Sequence, residues 1–433
     1  MKKIFCLVLC AALAAGLCAC SASGTENTAG GAPAQKVVYP QSISYNDYNA
    51  RNKLLSDNPL ADGFTNAVNA FSYATGAKLL SASANACYSP VSLYYALAVA
   101  AAGANGATKD ELSSLLYAGS YDLSAQCKAL YNRLYLDNEI SKLLIANSLW
   151  MDDEVNGEKV NFSNDYVKNA ADNFYCSLFK TDFSSPDTGK RIGQWISDNT
   201  GGLLSYEPKP SDSEVMAIIN AIYFHDEWQD NFDKADTKLN PFTLSDGSTV
   251  SCDFMNRTDN ESSFYKGANY TRASLSLKGD GAMTFVLPDE GTDLSALLKD
   301  KAALEEAFTG GQSESGKVVW SIPEFSYDST FEPIDALKSL GVSDAFDPDS
   351  ADFSGISDNT PLYISYIRQG THIGVNENGV EAAAYTVVQM DEATAILDSP
   401  NTAEMILNRP FLYGITSADG ALLFVGVCCN PGA

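Results

Sequence analysis

The sequence predicts an α+β fold, and three kinds of pattern support that prediction. Apolar residues recur at helical spacing in several segments of the 433-residue chain. Short apolar runs that end at proline, glycine or other turn residues are typical of strands. One further stretch, from Val380 to Met390, alternates with the two-residue period of a strand that has one dry face. Length alone permits either one large domain or two to three smaller ones.

The first nineteen residues have the pattern of a secretory signal peptide. Lys2 and Lys3 precede an apolar run from Ile4 to Ala19, which is shorter than the roughly 20 residues needed to span a bilayer. A basic start followed by a short apolar run is typical of an export signal. Residues 1–19 are therefore predicted to direct export and to be removed.

The end of this leader carries a candidate lipidation site. Leu17-Cys18-Ala19-Cys20 resembles the lipobox of bacterial lipoproteins, in which the last cysteine is diacylated and becomes the new amino terminus. The tract Ser21–Ala34 is rich in Ser, Gly, Ala and Thr, so residues 20–44 are predicted to form a flexible tether. We expect Cys20 to anchor a cell-envelope lipoprotein to a membrane. The alternative is an ordinary signal peptide, an extracellular product and no role for Cys20.

The net charge and the cysteine spacing limit the classes of ligand that the protein is expected to bind. A formal net charge of -26 disfavours nucleic acid and anionic lipid as ligands. The cysteines outside the leader are Cys87, Cys127, Cys176, Cys252, Cys428 and Cys429. They form no CxxC pair and no metal-ligand spacing, so we predict buried free thiols and expect no metal or cofactor. The sequence leaves disulfide bonds among them open.

Helices are predicted from apolar periodicity and from capping residues. Ser89 and Pro90 are typical of an N-cap and a first helical turn, and Thr108 and Glu111 have the spacing of a capping box. The predicted helices are Leu60–Leu80, Ser89–Ala102, Thr108–Leu116, Phe162–Phe179, Ile192–Asn199 and Ile334–Leu340.

Strands are predicted where apolar runs are short. These runs are Leu144–Trp150, Ile218–Phe224, Ala282–Leu287, Val318–Ile322 and Leu422–Val427. Asn220 lies inside one of them, and a buried amide in an apolar strand needs a hydrogen-bonding partner.

The alternating stretch is followed by a segment typical of an exposed loop. One set of alternate positions is uncharged and comprises Val380, Ala382, Ala384, Thr386, Val388 and Met390, whereas the intervening set includes Glu381, Tyr385, Gln389 and Asp391. The run Asp391–Thr402 is acidic, rich in small residues and contains a Ser-Pro turn signal. The stretch fits either an ordinary edge strand with a surface loop or a mobile strand that can enter a sheet.

Several segments resemble the serpin family. They are Asn85–Ser92, Gly103–Leu112, Asn220 with Trp228, Ala351–Ser357, Val375–Ala384 and Met405–Ile415, and they follow the family's order between about Leu60 and Pro431. The resemblance implies the serpin fold, with a large mixed β-sheet, further sheets, surrounding helices and an exposed reactive loop able to insert as a strand. It also implies a single domain over residues 45–433.

The resemblance further assigns roles to individual residues. The implied hinge of the reactive loop comprises Glu377, Gly379, Val380, Glu381, Ala382, Ala383 and Ala384. The implied shutter and breach, which lie beneath the opening sheet and at its entrance, comprise Ser89, Ser92, Asn220, Trp228 and Gln369. A satisfied core asparagine without any switching role is the alternative for Asn220.

Two departures from the family's pattern affect these sites. Gln369 stands where a histidine is usual, so this position can bond to Asn220 but cannot titrate. Glu324 stands where a lysine is common, and we expect it to repel Glu377 rather than hold it in a salt bridge. That repulsion would loosen the hinge.

The implied function is inhibition of serine proteases, or of cysteine proteases, by a suicide-substrate mechanism. The protease cleaves the reactive loop, forms an acyl-enzyme and is trapped as the loop enters the main sheet. A non-inhibitory serpin acting as a binding module and a tethered solute-binding lipoprotein are the alternatives. The chain itself is not expected to be an enzyme, because His225 and His372, its two histidines, lie in no nucleophile or metal motif. We expect a monomer.

The attacked bond follows from the family's loop length. Counting about sixteen residues from Glu377 places it between Ala393 and Thr394. A small alanine suits elastase-like or subtilisin-like proteases, and the absence of Arg and Lys between Gly370 and Asn408 disfavours trypsin-like ones. The run from Thr394 to Pro410 is longer than the family norm, and Asp391 and Glu392 would repel an acidic cleft. Glu392, Thr394 and Leu397 therefore stay open as alternative attacked residues.

Overall fold

The computed structural model describes residues 33–204, 207–211, 213–380 and 401–432. The helices are α1 Tyr48–Asp57, α2 Phe64–Leu79, α3 Pro90–Gly103, α4 Gly106–Leu115, α5 Leu123–Leu134, α6 Asn164–Phe174, α7 Pro186–Asn199, α8 Lys301–Thr309 and α9 Ile334–Ser339. The strands are β1 Ala86–Tyr88, β2 Leu136–Asp137, β3 Lys142–Asp152, β4 Glu154–Val155, β5 Glu158–Lys159, β6 Cys176–Thr181, β7 Met216–Glu227, β8 Lys238–Thr243, β9 Thr249–Lys266, β10 Tyr270–Ser276, β11 Ala282–Pro288, β12 Glu314–Pro323, β13 Phe325–Phe331, β14 Tyr366–Asn376, β15 Gly379–Val380, β16 Thr402–Ile406, β17 Phe411–Thr416 and β18 Leu422–Cys428.

Two large sheets dominate the described part of the chain. The first, here called the central sheet, has the order β13-β14-β15-β7-β3-β2, with β6 paired to β3. It is mixed, since β7 runs antiparallel to β3 but parallel to β14. The second, here called the outer sheet, has the order β1-β18-β17-β11-β10-β9-β12-β16, with β8 paired to β9. Strands β12 and β13 are consecutive in the chain but belong to different sheets, so the short link between them joins the two.

Helix α3 lies in the core and contacts β3 and β7 of the central sheet and β18 of the outer sheet. Every residue from Pro90 to Ala101 is buried. The segment is apolar on all sides, which is the pattern of a helix enclosed by other elements. The predicted helix Ser89–Ala102 is therefore confirmed and is a central element of the fold.

One predicted helix is wrong in its last part. The prediction extended from Phe162 to Phe179, but α6 ends at Phe174 and β6 follows. Tyr175 adopts a left-handed conformation with φ of 52°, which ends the helix. Strand β6 pairs in parallel with β3, and this long-range pairing overrides the local helical pattern.

The predicted capping box is also wrong. Helix α4 starts at Gly106, two residues before Thr108. The Thr108 hydroxyl instead accepts a hydrogen bond from the backbone N–H of Asp352 at 3.0 Å. The Glu111 carboxylate accepts hydrogen bonds from the backbone N–H groups of Ser343 and Asp344. Both side chains therefore join distant segments to α4.

The last part of the predicted tether lies against the domain. The backbone N–H of Ala34 donates to the carbonyl of Leu178 at 2.8 Å, and Val37 is buried. The Tyr39 ring stacks on Tyr175, with ring centroids 6.2 Å apart. The prediction of a flexible tether is therefore wrong for residues 34–44, because Val37 and Tyr39 of this segment pack against the domain. The leader, Cys20 and the preceding tether lie outside the described residues.

The six cysteines of the described chain are free, and five of them are buried. Among the described residues, no cluster of His, Cys, Asp and Glu is arranged to hold a metal ion. No helix within the described ranges has the length and apolar character needed to cross a bilayer.

Candidate functional site

The start of the predicted hinge is a short strand inside the central sheet. Strand β14 ends at Asn376, the chain turns, and β15 runs back as Gly379–Val380. Val380 pairs with Val375 of β14 on one side and with Asp226 of β7 on the other, and its side chain is fully buried. The first two residues after the turn are therefore already a strand of the sheet.

Strands β14 and β7 are direct neighbours away from this turn. Residues Tyr366–Gly370 of β14 pair in parallel with Ala217–Ala221 of β7. Strand β15 therefore lies between β14 and β7 at one end of these two strands. At their other end, β14 and β7 pair directly with each other. A longer strand can occupy this position only if the parallel pairing between β14 and β7 is broken.

Gly379 is required by close packing. A Cβ atom at this position would lie 2.1 Å from the carbonyl oxygen of Asp226, which is backbone and has little freedom to move. The Asp226 side chain is itself buried and fixed, since its carboxyl group accepts hydrogen bonds from the Ser141 hydroxyl at 2.7 Å and from the Gly279 N–H. Burial raises the pKa of Asp226 to about 6. No local sequence pattern predicts this support beneath the hinge, because its partners come from distant segments.

Trp228 lies at the turn between β14 and β15, where the resemblance implied it. It is fully buried, and its Nε1–H donates to the carbonyl of Asn376 at 2.8 Å. Its backbone N–H donates to the carbonyl of Asn378 at 2.9 Å, and the N–H of Phe232 donates to the carbonyl of Glu377 at 3.0 Å. Every carbonyl of the turn, Asn376 to Asn378, is therefore held by the segment that follows β7.

Glu377 is a buried carboxyl group at this turn, with 6% of its surface exposed. The Thr237 hydroxyl donates to its Oε1 at 2.8 Å, and the exposed Lys234 Nζ lies 4.0 Å away. Burial opposes ionisation of Glu377, but hydrogen bonds from its own backbone N–H, Thr237 and Glu324 outweigh that effect and lower its pKa. Burial, the hydrogen bond with Glu377 and the charge of Glu377 together raise the pKa of Glu324 to about 7.

The repulsion expected between Glu324 and Glu377 stays a prediction. The charge of Glu377 is one of the causes that raise the pKa of Glu324, as a neighbouring like charge does. The Thr237 hydroxyl donates a hydrogen bond to the Glu377 carboxylate.

Three buried amides form a row across the central sheet. Asn220 of β7 pairs in register with Asn147 of β3 and with Gln369 of β14. The Asn220 amide N–H donates to Asn147 Oδ1 at 2.6 Å, and the Gln369 amide N–H donates to Asn220 Oδ1 at 3.2 Å. The expected bond between Gln369 and Asn220 is thus present. Asn147 was missed, although a polar residue inside the apolar run LLIANSLW was a usable signal.

Ser89 and Ser92 connect this amide row to the start of α3. The Ser92 hydroxyl donates to Asn220 Oδ1 at 2.5 Å. The Gln369 amide N–H donates to the carbonyl of Ser89 at 2.8 Å, and its Oε1 accepts from the Ser89 N–H at 2.9 Å. The Ser89 hydroxyl does not cap α3 but donates to the carbonyl of Leu423 in β18, at 2.7 Å. The structure therefore brings together all the predicted shutter residues.

The remaining candidate residues lie outside the described ranges. They are the hinge residues Glu381, Ala382, Ala383 and Ala384, the attacked bond Ala393–Thr394, the alternatives Glu392 and Leu397, and Cys20.

Comparison with known proteins identifies the family. The family model for serpins, serine protease inhibitors, matches residues 66–431. Serpin B11 of Mus musculus is 27% identical over 367 residues, which cover 80% of this chain and 93% of that protein. A serpin-like protein of Methanosarcina acetivorans is 30% identical over 382 residues, covering 84% of this chain and 85% of the relative.

Solved structures agree with the sequence match. The thermophilic serpin tengpin in its native state superposes with a TM-score of 0.78 at 27% identity, covering 92% of this chain and 97% of tengpin. Serpin48 of the insect Tenebrio molitor superposes with a TM-score of 0.75 at 26% identity, covering 85% of this chain and 98% of that one. The predicted fold is confirmed, and the chain belongs to the serpin family.

Proposed function

We propose that this serpin inhibits serine proteases by offering its reactive loop as a substrate and inserting the cleaved loop into the central sheet. The position of β15 between β14 and β7 carries the proposal, because it is the start of a strand at the place where a longer one would go. The alternate positions from Val380 to Met390 are uncharged, which suits a face that enters a packed interior. Serpins as a family generally inhibit proteases and are not themselves enzymes.

The energy of insertion is of the same order as the energy that such a trap needs. About 14 residues from Val380 to Ala393 would become a central strand, and at roughly 0.5–1.5 kcal/mol per hydrogen bond they contribute on the order of 7–20 kcal/mol before packing is counted. A typical protease fold is stabilised by roughly 5–15 kcal/mol. Insertion can therefore distort an attached protease enough to stop hydrolysis of the acyl-enzyme.

The proposal extends to the attacked bond and the class of target. Ala393 supplies a small side chain before Thr394, which fits the shallow pocket of elastase-like or subtilisin-like proteases. Cysteine proteases that form the corresponding acyl-enzyme with a thiolate are a second target class of the same mechanism.

Incubation with a panel of proteases tests both statements. An elastase-like or subtilisin-like protease is expected to give a complex that survives a denaturing gel, whereas a trypsin-like protease serves as the control and gives none. Mass spectrometry of the released peptide identifies the bond, and Thr394–Ala433 is the expected fragment. A peptide that starts at Asp398 would move the attacked residue to Leu397 and the target class to chymotrypsin-like enzymes. Cleavage of the loop by every protease without any complex would contradict inhibition and favour a binding module.

We also propose that the protein is exported and held on a membrane by lipid at Cys20. The lipobox-like sequence and the short apolar leader support this proposal. Cys20→Ala is expected to move the protein from the detergent phase to the aqueous phase in a phase-partition assay of whole cells. Cys18→Ala is the matched control, because it removes a neighbouring thiol and retains Cys20. Equal partition of both variants and the wild type would contradict lipidation.

A further inference from the structure

The turn between β14 and β15 contains an asparagine followed by a glycine. Asn378 is the exposed residue of this turn, and Gly379 is the first residue of β15. The backbone N–H of Asn378 donates to Asn376 Oδ1 at 2.9 Å, but its side-chain amide has no hydrogen-bonding partner among the described residues. The side chain of Asn378 is therefore free to fold back onto the main chain that follows it.

Asparagine before glycine is prone to deamidation, because no side chain on the glycine hinders approach to its nitrogen. The backbone nitrogen of Gly379 attacks the side-chain carbonyl carbon of Asn378, and the side-chain amide group leaves as ammonia with the proton of that nitrogen. Water, the only co-reactant, then opens the cyclic imide at either of its two carbonyl groups. One product is aspartate, and the other is isoaspartate, in which the main chain runs through the former side chain.

The chain has two further Asn-Gly steps, which differ in how firmly they are held. The Asn105 side chain donates to Ser354 Oγ at 2.9 Å, and Gly106 starts α4, so this step is fixed. Asn156 and Gly157 are exposed in the turn of the β4–β5 hairpin, which forms a two-stranded sheet of its own. We therefore expect Asn156 and Asn378 to react, and Asn156 serves as an internal reference at which the product disturbs no other sheet.

The turn before β15 has no room for a longer main chain. Isoaspartate adds one carbon atom to the main chain between residue 378 and Gly379. The carbonyl of Asn378 is held by the Trp228 N–H at 2.9 Å, and Gly379 lies so close to the backbone of Asp226 that even a Cβ atom would clash. These two contacts fix the spacing on both sides of the added atom, so the modified chain cannot keep both of them.

The charge of the products acts in the same direction but more weakly. Either product carries a new carboxylate next to Glu377, whose own carboxyl group is buried, and like charges repel. Because position 378 is exposed, water screens most of this repulsion. The longer main chain of isoaspartate is therefore the change that the turn cannot absorb.

We propose that Asn378 is a site of spontaneous modification, at which deamidation to isoaspartate releases the turn and β15 from the central sheet. The consequence for inhibition rests on the proposed function. A hinge that starts outside the sheet enters it later, so more molecules would be cleaved without trapping a protease. Deamidation at this turn would thus limit the working life of the inhibitor.

Ageing the full chain at pH 8.5 and 37 °C, without protease, tests the proposal. Anion exchange separates the deamidated forms by their added negative charge, and mass spectrometry of peptides locates isoaspartate at positions 378 and 156. Hydrogen exchange then reports on the Trp228 and Phe232 N–H groups, which donate to the carbonyls of Asn378 and Glu377. In the fraction with isoaspartate at position 378, both are expected to exchange on the order of tenfold faster, as a local opening predicts, while β11 stays unchanged.

Three variants isolate the cause. Asn378→Gln keeps an amide but forms the imide ring far less readily, so the aged variant should keep its protection at Trp228 and Phe232. Asn156→Gln removes the reference site and should lose protection at the hinge as the wild type does. Freshly purified Asn378→Asp adds the charge without lengthening the main chain, so it should keep most of the protection.

Each measurement can overturn the proposal. An Asn378 that stays intact while Asn156 is converted would rule out the modification. Isoaspartate at position 378 with unchanged exchange at Trp228 and Phe232, or an equal loss of protection in aged Asn378→Gln, would rule out release of β15. Fresh Asn378→Asp that exchanges as fast as the isoaspartate fraction would rule out the longer main chain as the cause. Because no protease is present, these failures are distinguishable from failed inhibition, which the denaturing-gel experiment measures separately.

Discussion

At the residue scale, Asn220 has the largest number of partners in the candidate site. Its side chain bonds to Asn147 of β3, to Gln369 of β14 and to the hydroxyl and carbonyl groups of Ser92 in α3. All of these groups are buried, so each loses its water on folding and depends on its neighbours for hydrogen bonds. The amide row consequently ties β7 to β14, the two strands that would have to separate in the proposed insertion.

Asn220→Ala is expected to lower the free energy of unfolding by about 2–4 kcal/mol, because it leaves several buried polar groups without partners. Urea denaturation followed by fluorescence measures the loss. Asn240→Ala is the matched control, since Asn240 is exposed on β8, and its effect should stay within about 0.5 kcal/mol. A loss for Asn220→Ala as small as that of the control would show that the row contributes little to stability.

The sequence indicates Asn220 as a buried polar residue but does not indicate what it pairs with. Asn220 could be singled out because an amide interrupts an apolar run, and such a residue must find partners. The pairing of Asn220 with Asn147 and the hydrogen bonds that hold Asp226 beneath the hinge could not be predicted. They depend on the register of strands and on the meeting of segments more than fifty residues apart, and neither is encoded in local pattern.

At the element scale, the alternation that follows β15 makes a face-specific prediction. Ala384 belongs to the uncharged set with Val380, whereas Ala383 belongs to the opposite face. Ala384→Asp is expected to abolish gel-stable complexes and leave a cleaved, released serpin, because an unpaired buried carboxylate costs several kcal/mol. Complex formation with an elastase-like protease, compared on one gel, is the measurement.

Ala383→Asp is the control for this experiment. It introduces the same charge one residue away, on the face that remains solvated, so it should retain most of the complex. Equal amounts of complex from the two variants would contradict insertion as a strand with one buried face.

Helices and strands could be predicted from the sequence where the burial of apolar residues determines them. Helix α3 is apolar on all sides, and short apolar runs make up β18 and the middle of β7, so their patterns indicated both type and position. Strand β9 was not predicted, although it is among the longest. Its residues are largely polar, and pairing with β8, β10 and β12 rather than hydrophobic pattern makes it a strand.

At the scale of the whole molecule, the central sheet has an incomplete strand position between β14 and β7. β14 and β7 pair over Tyr366–Gly370, and β15 adds two residues at the other end. A complete strand between them would exchange this short ladder for two long ones. The intact protein is therefore expected to be less stable than the form with the loop inserted.

Cleavage of the loop by a protease that is not trapped tests this expectation. A single cut between residues 381 and 400 frees the loop to insert. On the order of 10 kcal/mol of added stability, within the range given above for insertion, should raise the Tm by about 10 °C, because a domain of this size unfolds with an entropy of roughly 0.8 kcal/mol/K. Differential scanning calorimetry of intact and cleaved protein measures the change, and the mass of the carboxy-terminal fragment confirms a single cut. Ala384→Asp cleaved at the same bond is the control, because its loop carries a charge that opposes burial, and it should show little or no rise. If the cleaved wild type melts at or below the temperature of the intact protein, the central sheet does not accept the loop, and the trapping mechanism fails with it.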